Sequence, residues 1–125
     1  MTDEDAIRQT IAQYAHFLDD GRFGEWADLY TQDGTFSVMG QTHAGREQVR
    51  VFIEKAQGPE ARGKHLCCNT VIDLRGDEAR AWTDYLFIDR NKAITSTGRY
   101  HDRLVRQPDR WRFASRRIVF LGDED

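Results

Sequence analysis

Cysteine is scarce in this 125-residue chain: there are two, adjacent as Cys67-Cys68, which excludes a disulfide-stapled fold. Neighbours on a strand point to opposite faces, so a structural bridge between them is sterically poor and both are expected as free thiols. No second Cys/His group stands at ligand spacing and none of the four histidines shows HExxH spacing, so no zinc site is expected. Apolar runs of membrane-spanning length are missing. The start, MTDEDAIRQT, carries acids where a secretory signal has a positive region and an apolar core, so a cytoplasmic protein is expected. Single-sign charge blocks are absent too: net charge is −3 and the basic residues are interspersed with acids, which argues against nucleic acid or a membrane as partner. There is no internal repeat, linker or low-complexity segment, only an acidic tail over residues 122–125.

What is present suits one globular domain over residues 1–125. A chain of this size buries roughly two-thirds of the surface its unfolded form exposes. The composition, 39% hydrophobic and 11% aromatic, supplies a core and excludes a disordered chain. Thr2 followed by Asp5 suggests a helix start, and Ile7, Ile11, Tyr14 and Leu18 recur at helical spacing, so a first helix is expected from Asp3 to Leu18. A short amphipathic stretch with Phe23, Trp26, Leu29 and Tyr30 follows. A turn at Gln32-Asp33-Gly34 then precedes an extended run from Thr35 to Met39. Val49, Phe52, Ile53 and Ala56 mark a third helix from Gly45 to Ala56. Period-two patterning then predicts strands over 66–74, 78–89, 97–105 and 110–120, joined by short turns into an antiparallel meander. The fold class is α+β: a curved antiparallel sheet wrapped on N-terminal helices as a cone, which becomes a pocket where side chains do not fill it.

The stretch KHLCCNTVIDL, residues 64–74, holds the informative polar residues. Alternation places His65, Cys67, Asn69, Val71 and Asp73 on one face and Leu66, Cys68, Thr70, Ile72 and Leu74 on the other, the second being an ordinary packing face. The first face begins polar and is costly to bury unpaired, so it is either a solvent-facing surface or a hydrated pocket wall. Asp19, at the end of the first helix, is placed to reach the mouth of the cone. A carboxylate on one imidazole nitrogen fixes the tautomer and makes the other nitrogen a general base. His16, His43 and His101 read as ordinary residues, His101 because Tyr100 and Asp102 occupy the other face.

The succession Ile7, Ile11, Tyr14, Asp19, then EWADLYTQDGTF, GREQVRVF, KHLCCNTVI, GDEARAWTDY, GRYHDRLVRQPDRWRF and SRRI resembles the SnoaL-like branch of the nuclear-transport-factor-2-like superfamily over essentially the whole chain. In sequence style that branch is similar to scytalone dehydratase, hexachlorocyclohexane dehydrochlorinase and bile-acid 7α-dehydratase. The resemblance implies the same cystatin-like cone and a His65–Asp19 dyad. From the bile-acid enzymes it implies Tyr14, Asp89 and Arg116 as further catalytic candidates. Arg116 and Arg117 point to opposite faces, so a slip of one residue exchanges them. Asp89, beside Arg90, also reads as a solvated strand-end acid. Phe36, Val38, Phe52, Cys67, Asn69, Tyr85, Phe87 and Tyr100 are the candidates for substrate contact.

The function these expectations describe is a lyase or isomerase without metal or organic cofactor, of dehydratase type, acting on a hydrophobic cyclic small molecule. The alternatives are a non-catalytic small-molecule-binding or association module of the same fold and a polyketide cyclase. The family hosts all of these classes, so fold alone does not choose among them. Self-association as a dimer or trimer is expected through the outer sheet face.

Overall fold

The computed structural model describes residues 1–123. Of the expected acidic tail, Glu124 and Asp125 lie outside the described residues. Helix α1 spans Asp3–Asp19, and its N-cap Thr2 accepts a hydrogen bond from the Asp5 amide at 3.1 Å. Asp3, Glu4 and Asp5 in its first turn complement the positive end of the helix dipole. Its apolar stripe of Ile7, Ile11, Tyr14 and Leu18 is buried. The five-residue helix α2, Phe23–Ala27, buries Trp26, and α3, Arg46–Ala56, buries Val49 and Ile53.

Strand β1 runs Tyr30–Val38 and is longer than expected, because the predicted turn Gln32-Asp33-Gly34 lies inside it. Tyr30 faces Phe113 while Thr35 already faces Ser115, so those turn-forming residues loop out of the ladder without ending it. The unforeseen strand β2, Gln41–Ala44, pairs with β1 through a turn at Met39 and Gly40, whose φ values of 52° and 75° suit a two-residue hairpin. Strands β3 (Lys64–Arg75), β4 (Glu78–Ile88), β5 (Ile94–Arg106) and β6 (Trp111–Phe120) form the expected antiparallel meander.

The sheet order is β2-β1-β6-β5-β4-β3, and the β1–β6 pair is parallel, so the sheet is mixed. It is curved but keeps two free edges, β2 and β3, and is not closed into a barrel. Helix α1 packs on β3 and β6, and α3 packs on β1 and α2. Tyr14, Trp26, Tyr30 and Phe113 meet there with ring centroids 5.1 to 6.0 Å apart in tilted or edge-on pairs. Each such pair adds about 0.5–1.5 kcal/mol beyond its area burial. Among the described residues no helix is long and apolar enough to cross a membrane.

The expected alternation along β3 holds only for its first half. Cys68 faces Asp84 and Val71 faces Trp82, so β3 carries one extra residue, and Asn69 sits there at φ 55°. This bulge reverses the faces. Before it, His65 and Cys67 point inward while Leu66 and Cys68 are exposed; after it, Ile72 and Leu74 pack on the core and Val71 is 61% exposed. Leu66, expected on a packing face, is 47% exposed, and Val71 does not share a face with His65.

Candidate active site

The last residue of α1 and the second residue of β3 meet across the helix–sheet seam. Gly63, just before β3, lets the chain lie close against the end of β4, where a Cβ would fall 2.1 Å from the Ile88 carbonyl oxygen. Asp19 Oδ1 stands 2.6 Å from His65 Nδ1, and Asp19 Oδ2 accepts the His65 backbone N–H at 3.0 Å. The two side chains are 6% and 10% exposed. A carboxylate only accepts, so Nδ1 carries the proton and Nε2 is the basic nitrogen of the neutral ring. The second bond, to the backbone of the same residue, fixes the carboxylate against rotation. The imidazole is flanked by Phe87, its ring centre 4.7 Å away.

His65 lines a partly open cavity of about 220 Å³ between α1, α3 and the inner face of the sheet. Tyr14, Phe36, Val38, Phe52, Tyr85, Phe87 and Tyr100, all expected at the site, line it too. The wall also includes Leu18, Met39, Gln57, Ser96, Ile118 and Phe120, which the sequence reading did not select. Ser96 was missed because β5 begins at Ile94, before its expected start at Thr97.

Burial pushes the Tyr14 phenol above its ordinary pKa, with the neighbouring Arg116 guanidinium opposing the shift. Burial likewise pushes Tyr100 well up and Tyr85 up. All three phenols are therefore neutral hydrogen-bond donors near neutral pH.

Arg116 faces inward and Arg117 is exposed, which settles the pair left open by the sequence. Arg116 does not form part of the cavity wall. It is fully buried, with Nε and Nη2 each donating to Asp102 at 2.7 Å. Its guanidinium carbon lies 3.8 Å from the Tyr100 ring centre, 4.2 Å from Tyr14 and 4.3 Å from Phe113. Burial opposes its charge, but the Asp102 carboxylate outweighs that and holds the guanidinium protonated. Asp102 was not selected from sequence, although its place between Tyr100 and Leu104 at period two was a readable signal.

Besides Asp19 and Arg116, three of the expected site residues do not line this cavity. Asp89 is not at the cavity: β4 ends at Ile88, and the Asp89 carboxylate accepts the amides of Asn91 and Ala93 at 2.9 and 3.0 Å in the following turn. Asn69 points outward from the bulge and donates to Asp84 at 3.1 Å. Cys67 packs against the core and, together with Asn69 and His65 itself, borders a second groove of about 410 Å³ between α1 and β3; burial raises its thiol pKa. Among the described residues no three His, Cys, Asp or Glu side chains converge as a metal-binding group.

A sequence profile of the SnoaL-like domain matches residues 1–117. No curated protein matches the chain. Among solved structures, Rv3472 of Mycobacterium tuberculosis, a protein of unknown function, is 28% identical with a TM-score of 0.85, over 92% of this chain and 69% of that one. A Catenulispora acidiphila protein in complex with S-DNPA is 26% identical with a TM-score of 0.79, over 94% of this chain and 92% of that one. A Novosphingobium aromaticivorans protein provisionally named scytalone dehydratase is 24% identical with a TM-score of 0.84, over 98% of this chain and 86% of that one, and shares the fold.

Proposed function

The chain belongs to the SnoaL-like domain family, and on that footing we propose that it is a lyase or isomerase, needing no metal or organic cofactor, that acts on a hydrophobic cyclic ketone. The observation that carries the reading is the Asp19–His65 pair on the wall of a mostly apolar cavity. The cavity, about 220 Å³ and partly open to solvent, has room for a ring held against His65.

In the proposed reaction His65 Nε2 removes a proton from the carbon next to the ring carbonyl. Asp19 stays ionised and stabilises the imidazolium. The Tyr14 hydroxyl donates to the enolate oxygen; its raised pKa makes it a poor proton source but a steady hydrogen-bond donor. The imidazolium then returns its proton to the hydroxyl on the next carbon. The C–O bond breaks, a C=C bond forms and water leaves. Return of the proton to another carbon gives the isomerase outcome instead. Arg116 acts from behind the Tyr14 and Tyr100 rings, a positioning and electrostatic role. Acid–base help of this kind contributes about two to four powers of ten, and orientation in the cavity supplies the rest.

The test is elimination from 3-hydroxycyclohexanone and related β-hydroxy cyclic ketones, followed by enone absorbance. Wild type turns over, and His65→Gln loses about 100-fold or more in kcat. Asp19→Asn also falls, with 15N NMR showing that the imidazole has left the Nδ1–H tautomer. Saturable ketone binding with no elimination dependent on the pair would instead place the chain among the non-catalytic binding modules. Self-association belongs to the same reading: Leu66 and Val71, 47% and 61% exposed on the outer face of β3, are apolar groups that a dimer or trimer contact would cover.

A further inference from the structure

Ser96 stands opposite Phe87 on the β5–β4 ladder, and Phe87 stands opposite His65 on the β4–β3 ladder. The three residues form one row across the sheet, and all three line the cavity. Strands lie about 4.8 Å apart, so the backbones of Ser96 and His65 are separated by about 10 Å. An apolar ring lies between two polar ends.

At the end away from His65, the Tyr85 and Ser96 hydroxyls meet at 2.8 Å, and both side chains line the cavity. Two hydroxyls hold two O–H donors, and their mutual bond uses one. The other O–H, with the remaining lone pairs, is available to a ligand. Tyr85 is held in place by a parallel stack on Tyr100, ring centres 4.7 Å apart, and Tyr100 is backed by Arg116. The hydroxyl pair is therefore presented from a rigid wall, the condition for reading a ligand atom with selectivity.

We propose that the Tyr85–Ser96 hydroxyl pair is a second polar subsite of the cavity, binding an oxygen on the part of the ring opposite the carbonyl and remote from the carbon that His65 deprotonates. The substrate class is thereby narrowed to small cyclic ketones carrying a second oxygen function on the far side of the ring. The inference rests on reading the cavity as a small-molecule site, but not on turnover.

The experiment compares equilibrium binding of 4-hydroxycyclohexanone and cyclohexanone by NMR titration. The hydroxyl of the first is not β to its carbonyl, so direct β-elimination does not interfere. Wild type binds 4-hydroxycyclohexanone about three- to tenfold more tightly, the worth of one net hydrogen bond. Ser96→Ala and Tyr85→Phe each abolish that preference while leaving the cyclohexanone affinity within about twofold. Equal binding of the two ketones by wild type overturns the subsite, as does a preference that survives both substitutions. A matching loss of affinity for both ketones in the variants also overturns it, because the pair then only shapes the wall. Selective binding together with an inert His65 would retain the subsite and reject the elimination chemistry; absence of binding by either ketone rejects both.

Discussion

Two aspartates, Asp89 just past the end of β4 and Asp102 inside β5, have opposite fates, and local spacing explains both. Asp89 falls one residue past β4, where a short side chain can accept the amides of the next turn, and it does so. Asp102 falls within β5 on the face of Tyr100 and Leu104, so it is buried and must be paired. Its pairing with Arg116 is bidentate and fully excluded from water. Removing one partner strands a buried charge, so Arg116→Leu is expected to cost about 3–5 kcal/mol of stability. The Asp102→Leu/Arg116→Met double variant should recover most of that loss in urea unfolding. A single variant as stable as wild type would refute this account. The acid at 102 was legible as an inward residue, but its partner was not, because which arginine on β6 faced it depended on register.

The Asn69 bulge is the element that makes β3 serve two purposes. It lets His65 and Cys67 face inward at one end and Ile72 and Leu74 face inward at the other, although the two sets are out of phase. Asparagine tolerates the left-handed backbone at φ 55°, and its side chain is anchored on Asp84. Asn69→Val places a β-branched residue in that conformation and should cost about 1–2 kcal/mol, while Asn69→Gly loses only the Asp84 contact and should cost less. Chemical denaturation of the two variants separates backbone strain from the lost hydrogen bond. If Val and Gly were equally tolerated, the left-handed conformation would not be what holds the bulge. Sequence periodicity located the strand but not the bulge, because one extra residue is invisible until the strand is paired.

At the scale of the whole molecule, the open sheet leaves its outer face without helices, and Leu66 and Val71 stand on it. Sedimentation velocity is expected to show a dimer or trimer, with Leu66→Lys/Val71→Lys shifting it to monomer without loss of fold. Monomer mass for the wild-type protein at high concentration would reject that surface as an interface. The sequence alone determined the three helices and the four-strand meander, because the periods of 3.6 and 2 follow from side-chain geometry within one element, but it left His65 between a solvent-facing surface and a pocket wall. It also placed Asp19 at the helix end near the mouth of the cone, while its pairing with His65 came from the family resemblance. Only the tertiary structure decided the parallel β1–β6 pair, the reversal at Asn69, the choice of Arg116 over Arg117 and the meeting of Tyr85 with Ser96. Each of these depends on the register between segments distant in the chain, and register is set by packing of the whole sheet against its helices, which no local pattern records.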